Sequence, residues 1–184
     1  MKKKPSCKTR TINGEKGHER KQHMLKHVGY YIGRDDIPRM TTLSIPLAEC
    51  QRDCQDCHSP WLKTSEGVDL AESLPGLIEK YKPFIQCICF LGEGDDTKAL
   101  LDALRLCKQA KLQTALYSGA EYLEDIPVYQ LLQPNAKREL DYLKVGQFKQ
   151  DYGDLDCIST NQRMFEHTAV GWVNITRDFR VERR

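Results

Sequence analysis

At 184 residues, 40% hydrophobic and net charge +2, the chain can bury one core and is too short for two full domains. No apolar run approaches the roughly 20 residues a membrane span requires, and the Lys-rich start has no apolar stretch behind it. Membrane insertion and secretion are thereby excluded as expectations, and a soluble cytoplasmic protein is expected.

The charge is unevenly spread. Residues 1–27 hold nine Lys or Arg against Glu15 and Glu19, while the rest of the chain has more acidic than basic residues. A basic leader on an acidic body is more often a solvated extension than a nucleic-acid arm. Residues 1–24 are therefore expected to be a disordered leader and 25–184 the single domain. Nucleic acid is not an expected partner, and Met24 is a candidate natural start.

In chain order, Thr41 to Pro46 reads as a short strand running into a cysteine loop. Asp69 to Tyr81 is helix-like, interrupted at Pro75. Ile85 to Leu91 is an apolar run suited to a strand buried on both faces. Asp96 can cap a helix in which Ala99, Leu100, Ala103, Leu104, Cys107 and Ala110 recur at helical spacing, which makes Cys107 a core residue. Leu112 to Tyr117 is another strand, Glu124 to Leu132 a short helix broken by Pro127, and Glu139 to Val145 a further strand. Strands separated by helix-length segments imply right-handed βαβ units around a parallel sheet.

Eight cysteines are present. Cys50, Cys54 and Cys57 crowd into one loop, while Cys7, Cys87, Cys89, Cys107 and Cys157 are scattered. Clustered thiols in a domain without a secretion signal point to metal rather than to a disulfide scaffold. Three thiolates at C-x3-C-x2-C can hold one cluster and leave its fourth iron open to a substrate. A structural zinc site is the alternative, but it prefers paired C-x2-C knuckles and a fourth ligand. His58 is badly placed to share a metal with Cys57, and Cys87 and Cys89 alternate inside an apolar strand.

The later loops add polar groups at strand ends. Gly92-Glu93-Gly94-Asp95 closes the Ile85 to Leu91 strand, where glycines admit a close ligand and carboxylates can meet a cation. Read alone, the same residues could be an ordinary turn and helix cap. Ser118, after the next strand, could donate to a ligand or cap its own turn. Asn161-Gln162-Arg163 precedes the alternating stretch Met164 to His167, and no role follows for it from physics. His18, His23, His27 and His167 make no metal pair or hydrolase triad. Trp61 and Trp172 read as packing residues.

Taken in order, Cys50-x3-Cys54-x2-Cys57-His58-Ser59-Pro60, Cys89 to Asp95, Tyr117-Ser118-Gly119, Asp141 to Gly146 and Thr160 to Arg163 resemble the radical-SAM superfamily. Within it they resemble the activating proteins of anaerobic ribonucleoside-triphosphate reductases, from about Leu25 to the C-terminus. The family's usual Gly-Gly-acid is here interrupted by Glu93, and Asp56 stands where many radical-SAM loops have an aromatic.

The resemblance implies an α/β fold, an incomplete (β/α) barrel of the radical-SAM type with a mostly parallel sheet and the cluster at the carboxyl-end rim. It implies a [4Fe–4S] cluster on Cys50, Cys54 and Cys57 and S-adenosylmethionine held by Gly92, Glu93, Gly94, Asp95, Ser118 and Asn161. Either Glu93 or Asp95 would take the amino group, with Glu93 favoured. The cofactors would carry the reaction with no catalytic acid or base. The partners implied are an external one-electron donor and the large reductase subunit, on which a glycyl radical is made. Another radical-SAM enzyme, or a non-enzymatic zinc or iron–sulfur module, is the competing class.

Overall fold

The computed structural model describes residues 24–57, 59–131 and 139–180. Residues 1–23 of the expected leader, with Cys7, His18 and His23, and the neighbour His58 lie outside the described residues.

The strands are β1 (Lys26–His27), β2 (Tyr31–Gly33), β3 (Thr42–Pro46), β4 (Val68–Asp69), β5 (Cys87–Leu91), β6 (Gln113–Tyr117), β7 (Tyr142–Val145), β8 (Arg163–Thr168) and β9 (Gly171–Asn174). The α-helices are α1 (Leu70–Tyr81), α2 (Thr97–Gln109) and α3 (Pro127–Leu131). A seven-stranded sheet runs in the order β2-β3-β5-β6-β7-β8-β9, and β1 pairs separately with β4.

Strand alternation sorts the sheet's residues onto two faces. Leu43, Ile45, Ile88, Phe90, Leu116, Leu143 and Val145 join the larger core with Leu74 and Ile78 of α1 and Leu100 and Leu104 of α2. Cys87, Cys89, Ala115, Tyr142 and Met164 join the smaller one, covered by Ile37 and Leu155 from loops. Helices thus cover one face and irregular segments the other, which leaves room there for a cavity.

Asp69 caps α1 by accepting from Ala71 N at 2.7 Å and Glu72 N at 3.3 Å. Helix α1 is continuous through Pro75. The expected interruption does not occur, because apolar contacts of Leu70, Leu74, Leu77 and Ile78 outweigh the one backbone donor that proline removes. Asp96 caps α2, accepting from Ala99 N at 2.9 Å, and Cys107 is fully buried as its spacing predicts. Pro127 does not break the third helix but opens it, at the first position, where a missing N–H costs nothing.

The expected incomplete barrel with a mostly parallel sheet is not what the chain forms. β3, β5, β6 and β7 are parallel neighbours, but β2 adds antiparallel at one edge and β8 and β9 add antiparallel at the other. The result is a mixed sheet with three α-helices among the described residues. The cause lies after β7. A further βαβ unit needs a helix to carry the chain back, whereas residues 146–162 hold two left-handed glycines, Gly146 (φ 96°) and Gly153 (φ 72°), and a single 3-10 turn, Gln150–Tyr152. The chain therefore re-enters as the β8–β9 hairpin. No helix among the described residues is long and apolar enough to cross a membrane.

Candidate functional site

The cysteine loop leaves β3 at its carboxyl end and is fixed at both stems. Leu47 N donates to Leu91 O at 2.9 Å, Glu49 N to Thr64 O at 3.0 Å and Cys50 N to Leu62 O at 2.9 Å. Glu49 adopts φ 57°, turning the chain sharply just before the first cysteine. Lys63 Nζ ties the middle of the loop by a 2.8 Å bond to Asp53.

Cys50, Cys54 and Cys57 all line one cavity of about 470 Å³, together with Arg52, Trp61, Gly92, Tyr117, Ser118 and Lys144. That volume falls in the roughly 300–1,000 Å³ span of small-molecule sites. The cavity sits at the carboxyl ends of β3, β5, β6 and β7, where open α/β sheets gather ligands. Gly119 lies against the cysteine loop, where a Cβ would stand at ordinary contact distance, 3.6 Å from Cys54 Sγ and 3.5 Å from Arg52 Cγ.

Glu93 is engaged from two sides. Ser118 Oγ donates to its Oε1 at 2.6 Å, and Arg52 forks onto the same oxygen from Nη2 at 2.8 Å and Nε at 3.2 Å. Ser118 Oγ also accepts from Ala120 N at 2.9 Å, so this serine caps its own turn, and its single hydroxyl hydrogen is committed to Glu93. Glu93, Gly94 and Asp95 line a neighbouring cavity of about 360 Å³ that shares Cys50, Arg52, Gly92 and Gly119 with the first. The helix cap belongs to Asp96.

Asn161 lines neither cavity; its Nδ2 donates to Gln147 O at 2.9 Å. Of the six residues assigned to the S-adenosylmethionine site, Gly92 and Ser118 line the cavity of the three cysteines, Glu93, Gly94 and Asp95 line the neighbouring one with Cys50, and Asn161 stands behind a loop.

Charge in the cavity is unusual. Burial pushes the Cys54 thiol up, and the neighbouring Cys57 and Cys50 sulfurs push it further, against the pull of Lys144 and Arg52. Lys144 is only 7% exposed, and burial lowers its ammonium to about 8. Its Nζ donates to Gly146 O at 2.6 Å. Burial thus favours the neutral thiol at Cys54 and disfavours the ammonium at Lys144, and each is partly offset by the other's charge.

Among the described residues no three His, Cys, Asp or Glu side chains share one coordination sphere. Three cysteine thiols lining one cavity are a donor set that would fit a [4Fe–4S] cluster.

Arg52 and Lys144 were not singled out by sequence reasoning, although a lysine inside the apolar run from Leu140 to Val145 was a signal that could have been read. Asp36 was also missed. Its carboxylate accepts from Tyr31 Oη at 3.1 Å, Thr42 Oγ1 at 3.1 Å and Ser44 Oγ at 2.8 Å, and Tyr117 Oη donates to its backbone carbonyl. These bonds pin the Arg34 to Met40 loop over the helix-free face, where Asp36, Tyr31 and Tyr117 form part of the cavity lining.

No protein-family model, no curated protein and no solved structure matches this chain.

Proposed function

We propose that this protein is a radical-SAM activase, in which Cys50, Cys54 and Cys57 hold a [4Fe–4S] cluster and S-adenosylmethionine occupies the adjoining cavity. Its protein substrate is the glycyl-radical large subunit of an anaerobic ribonucleoside-triphosphate reductase, and an external donor supplies one electron. The observation that carries the reading is the convergence of three cysteines, Gly92, Ser118 and Lys144 on one cavity at the strands' carboxyl ends. Bound there, the cofactors supply one-electron cleavage of a carbon–sulfur bond and, through it, hydrogen abstraction from a glycine α-carbon.

The chain's own residues bind and orient. The Lys144 ammonium complements the carboxylate of S-adenosylmethionine, and the Glu93 carboxylate, which lines the neighbouring cavity and is held by Ser118 and Arg52 of the first, is the acceptor for its amino group. The apolar side chains of Leu62, Leu91, Phe148 and Leu155 line the same cavity and exclude water from it. A reducing cytoplasm is the compartment in which free thiols and an iron–sulfur cluster persist together.

The deciding experiment is anaerobic reconstitution with iron and sulfide, then reduction in the presence of S-adenosylmethionine. The expected products are methionine and 5′-deoxyadenosine, with a glycyl radical when the reductase subunit is added. A protein that takes up zinc alone and releases no 5′-deoxyadenosine would end this reading.

A further inference from the structure

Three consecutive side chains at the entry to β8 each reach a backbone carbonyl in a loop that walls the cavity. Asn161 Nδ2 donates to Gln147 O at 2.9 Å, Gln162 Nε2 to Gly153 O at 3.3 Å, and Arg163 Nη2 to Glu121 O at 2.6 Å. Loop carbonyls lack a ladder partner, so a side-chain donor sets where such a loop rests.

The first two carbonyls lie in the segment after β7, which delivers Gln147, Phe148, Asp154 and Leu155 to the cavity. The third lies in the segment after β6, close behind Ser118 and Gly119 on the facing wall. The backbone is seated as tightly as the side chains. Gly146 N donates to Ala120 O at 2.6 Å, and a Cβ on Gly146 would stand 3.0 Å from both Asn161 O and Gln162 Cα. The Arg163 guanidinium also lies 5.7 Å from the centre of the Tyr122 ring, a second hold on the β6 side.

We propose that Asn161, Gln162 and Arg163 form a clasp of positioning residues that fixes the spacing between the cavity walls following β6 and β7. The entry to β8, the antiparallel strand beside β7, thereby braces the site. Asn161 and Arg163 line neither cavity, so their influence on a ligand travels through the loops they hold. The identity of that ligand as S-adenosylmethionine rests on the functional reading above, whereas the clasp does not.

The test compares Asn161→Asp and Arg163→Met with Arg163→Lys, which retains a donor. Hydrogen exchange on the whole, cofactor-free chain reads the loops directly. Asn161→Asp speeds exchange at residues 147–153 about fivefold and Arg163→Met does so at residues 119–123, the scale of one net hydrogen bond. Arg163→Lys restores protection in part. Unchanged exchange in these segments, or a uniform rise across the sheet, overturns the clasp.

In the reconstituted protein, Asn161→Asp and Arg163→Met raise the KM for S-adenosylmethionine several-fold with kcat within about twofold, the mark of lost ground-state positioning. Loosened loops with an unchanged KM would overturn the link to the cavity. A wild-type protein that does not bind S-adenosylmethionine would defeat the functional reading instead, and the exchange pattern would still decide the clasp.

Discussion

Ser118, at the end of β6, donates to Glu93, at the end of β5, across 2.6 Å, and Arg52 of the cysteine loop closes on the same carboxylate oxygen at 2.8 Å. Three segments distant in sequence are joined by one carboxylate, so the geometry of the loop and of the strand ends is coupled through Glu93.

Glu93→Gln removes the charge that draws in Arg52 and weakens the acceptor. A charge-assisted hydrogen bond is worth about 1.5–3 kcal/mol, so reductive cleavage of S-adenosylmethionine falls on the order of tenfold or more, with iron content retained. Asp95→Asn leaves cleavage near wild type. The reverse ranking, measured as 5′-deoxyadenosine released per chain, would transfer the amino-group role to Asp95.

The cysteines divide by environment. Cys87, Cys89 and Cys107 are fully buried, and burial holds all three thiols far up, Cys107 at about 12. In the cofactor-free protein at neutral pH, alkylation reaches Cys50, Cys54 and Cys57 and spares these three until the chain unfolds. Cys54→Ala abolishes iron retention, whereas Cys107→Ala keeps it and costs about 1 kcal/mol of stability for the lost sulfur contacts. Full iron content in the Cys54→Ala protein would remove the cluster assignment.

The four parallel strands and two long helices were readable because each carries an apolar period of its own length. Cys87–Leu91 and Gln113–Tyr117 fall within the runs that the sequence marks. The antiparallel additions were only partly readable: Met164 to His167 alternates as a strand does, but no strand was assigned there. β2 is the tripeptide Tyr31-Ile32-Gly33, half exposed, and β8 meets β9 across Ala169-Val170 without a turn signature such as Asn-Gly. Adding helix-separated strands therefore led to a barrel, and the hairpin that closes the sheet went uncounted. In the site, the cysteine spacing was legible on its own. Arg52, Lys144 and Asp36 were not, because an ion pair, a buried ammonium and a carboxylate shared by three hydroxyls exist only once the strands are adjacent.

Asp36 is the most consequential of the residues that only the fold reveals. Thr42 and Ser44 are fully buried, and their hydroxyls both donate to its carboxylate. Asp36→Ala strands those donors and frees the loop over the helix-free face, at a cost of about 3 kcal/mol or more in urea unfolding. Asp36→Asn keeps an acceptor oxygen and loses roughly half as much. Equal stability of both variants with wild type would show that the Arg34 to Met40 loop is held by its apolar contacts alone.

Lys144 sets stability against function. Its folded pKa, about 8, lies below the ordinary lysine value of 10.5, and burial is the largest cause, with Cys54 and Asp154 pulling the other way. The unfolded chain therefore binds the proton more tightly, and the buried charge penalises the folded state at neutral pH. That penalty disappears as pH rises from about 8 to about 10.5. Lys144→Met, which keeps the length and drops the charge, gains about 2 kcal/mol at pH 7 once the lost 2.6 Å bond to Gly146 O is set against roughly 3 kcal/mol of burial cost. Its advantage over wild type shrinks through that alkaline window, and differential scanning calorimetry of the cofactor-free proteins at pH 7 and pH 10 measures the change. The reconstituted variant is expected to bind S-adenosylmethionine at least tenfold more weakly, because no cation remains to meet the carboxylate. Such an exchange of stability for binding marks a residue retained for its ligand. A Met variant that is both less stable at pH 7 and unimpaired in binding would make Lys144 a structural residue.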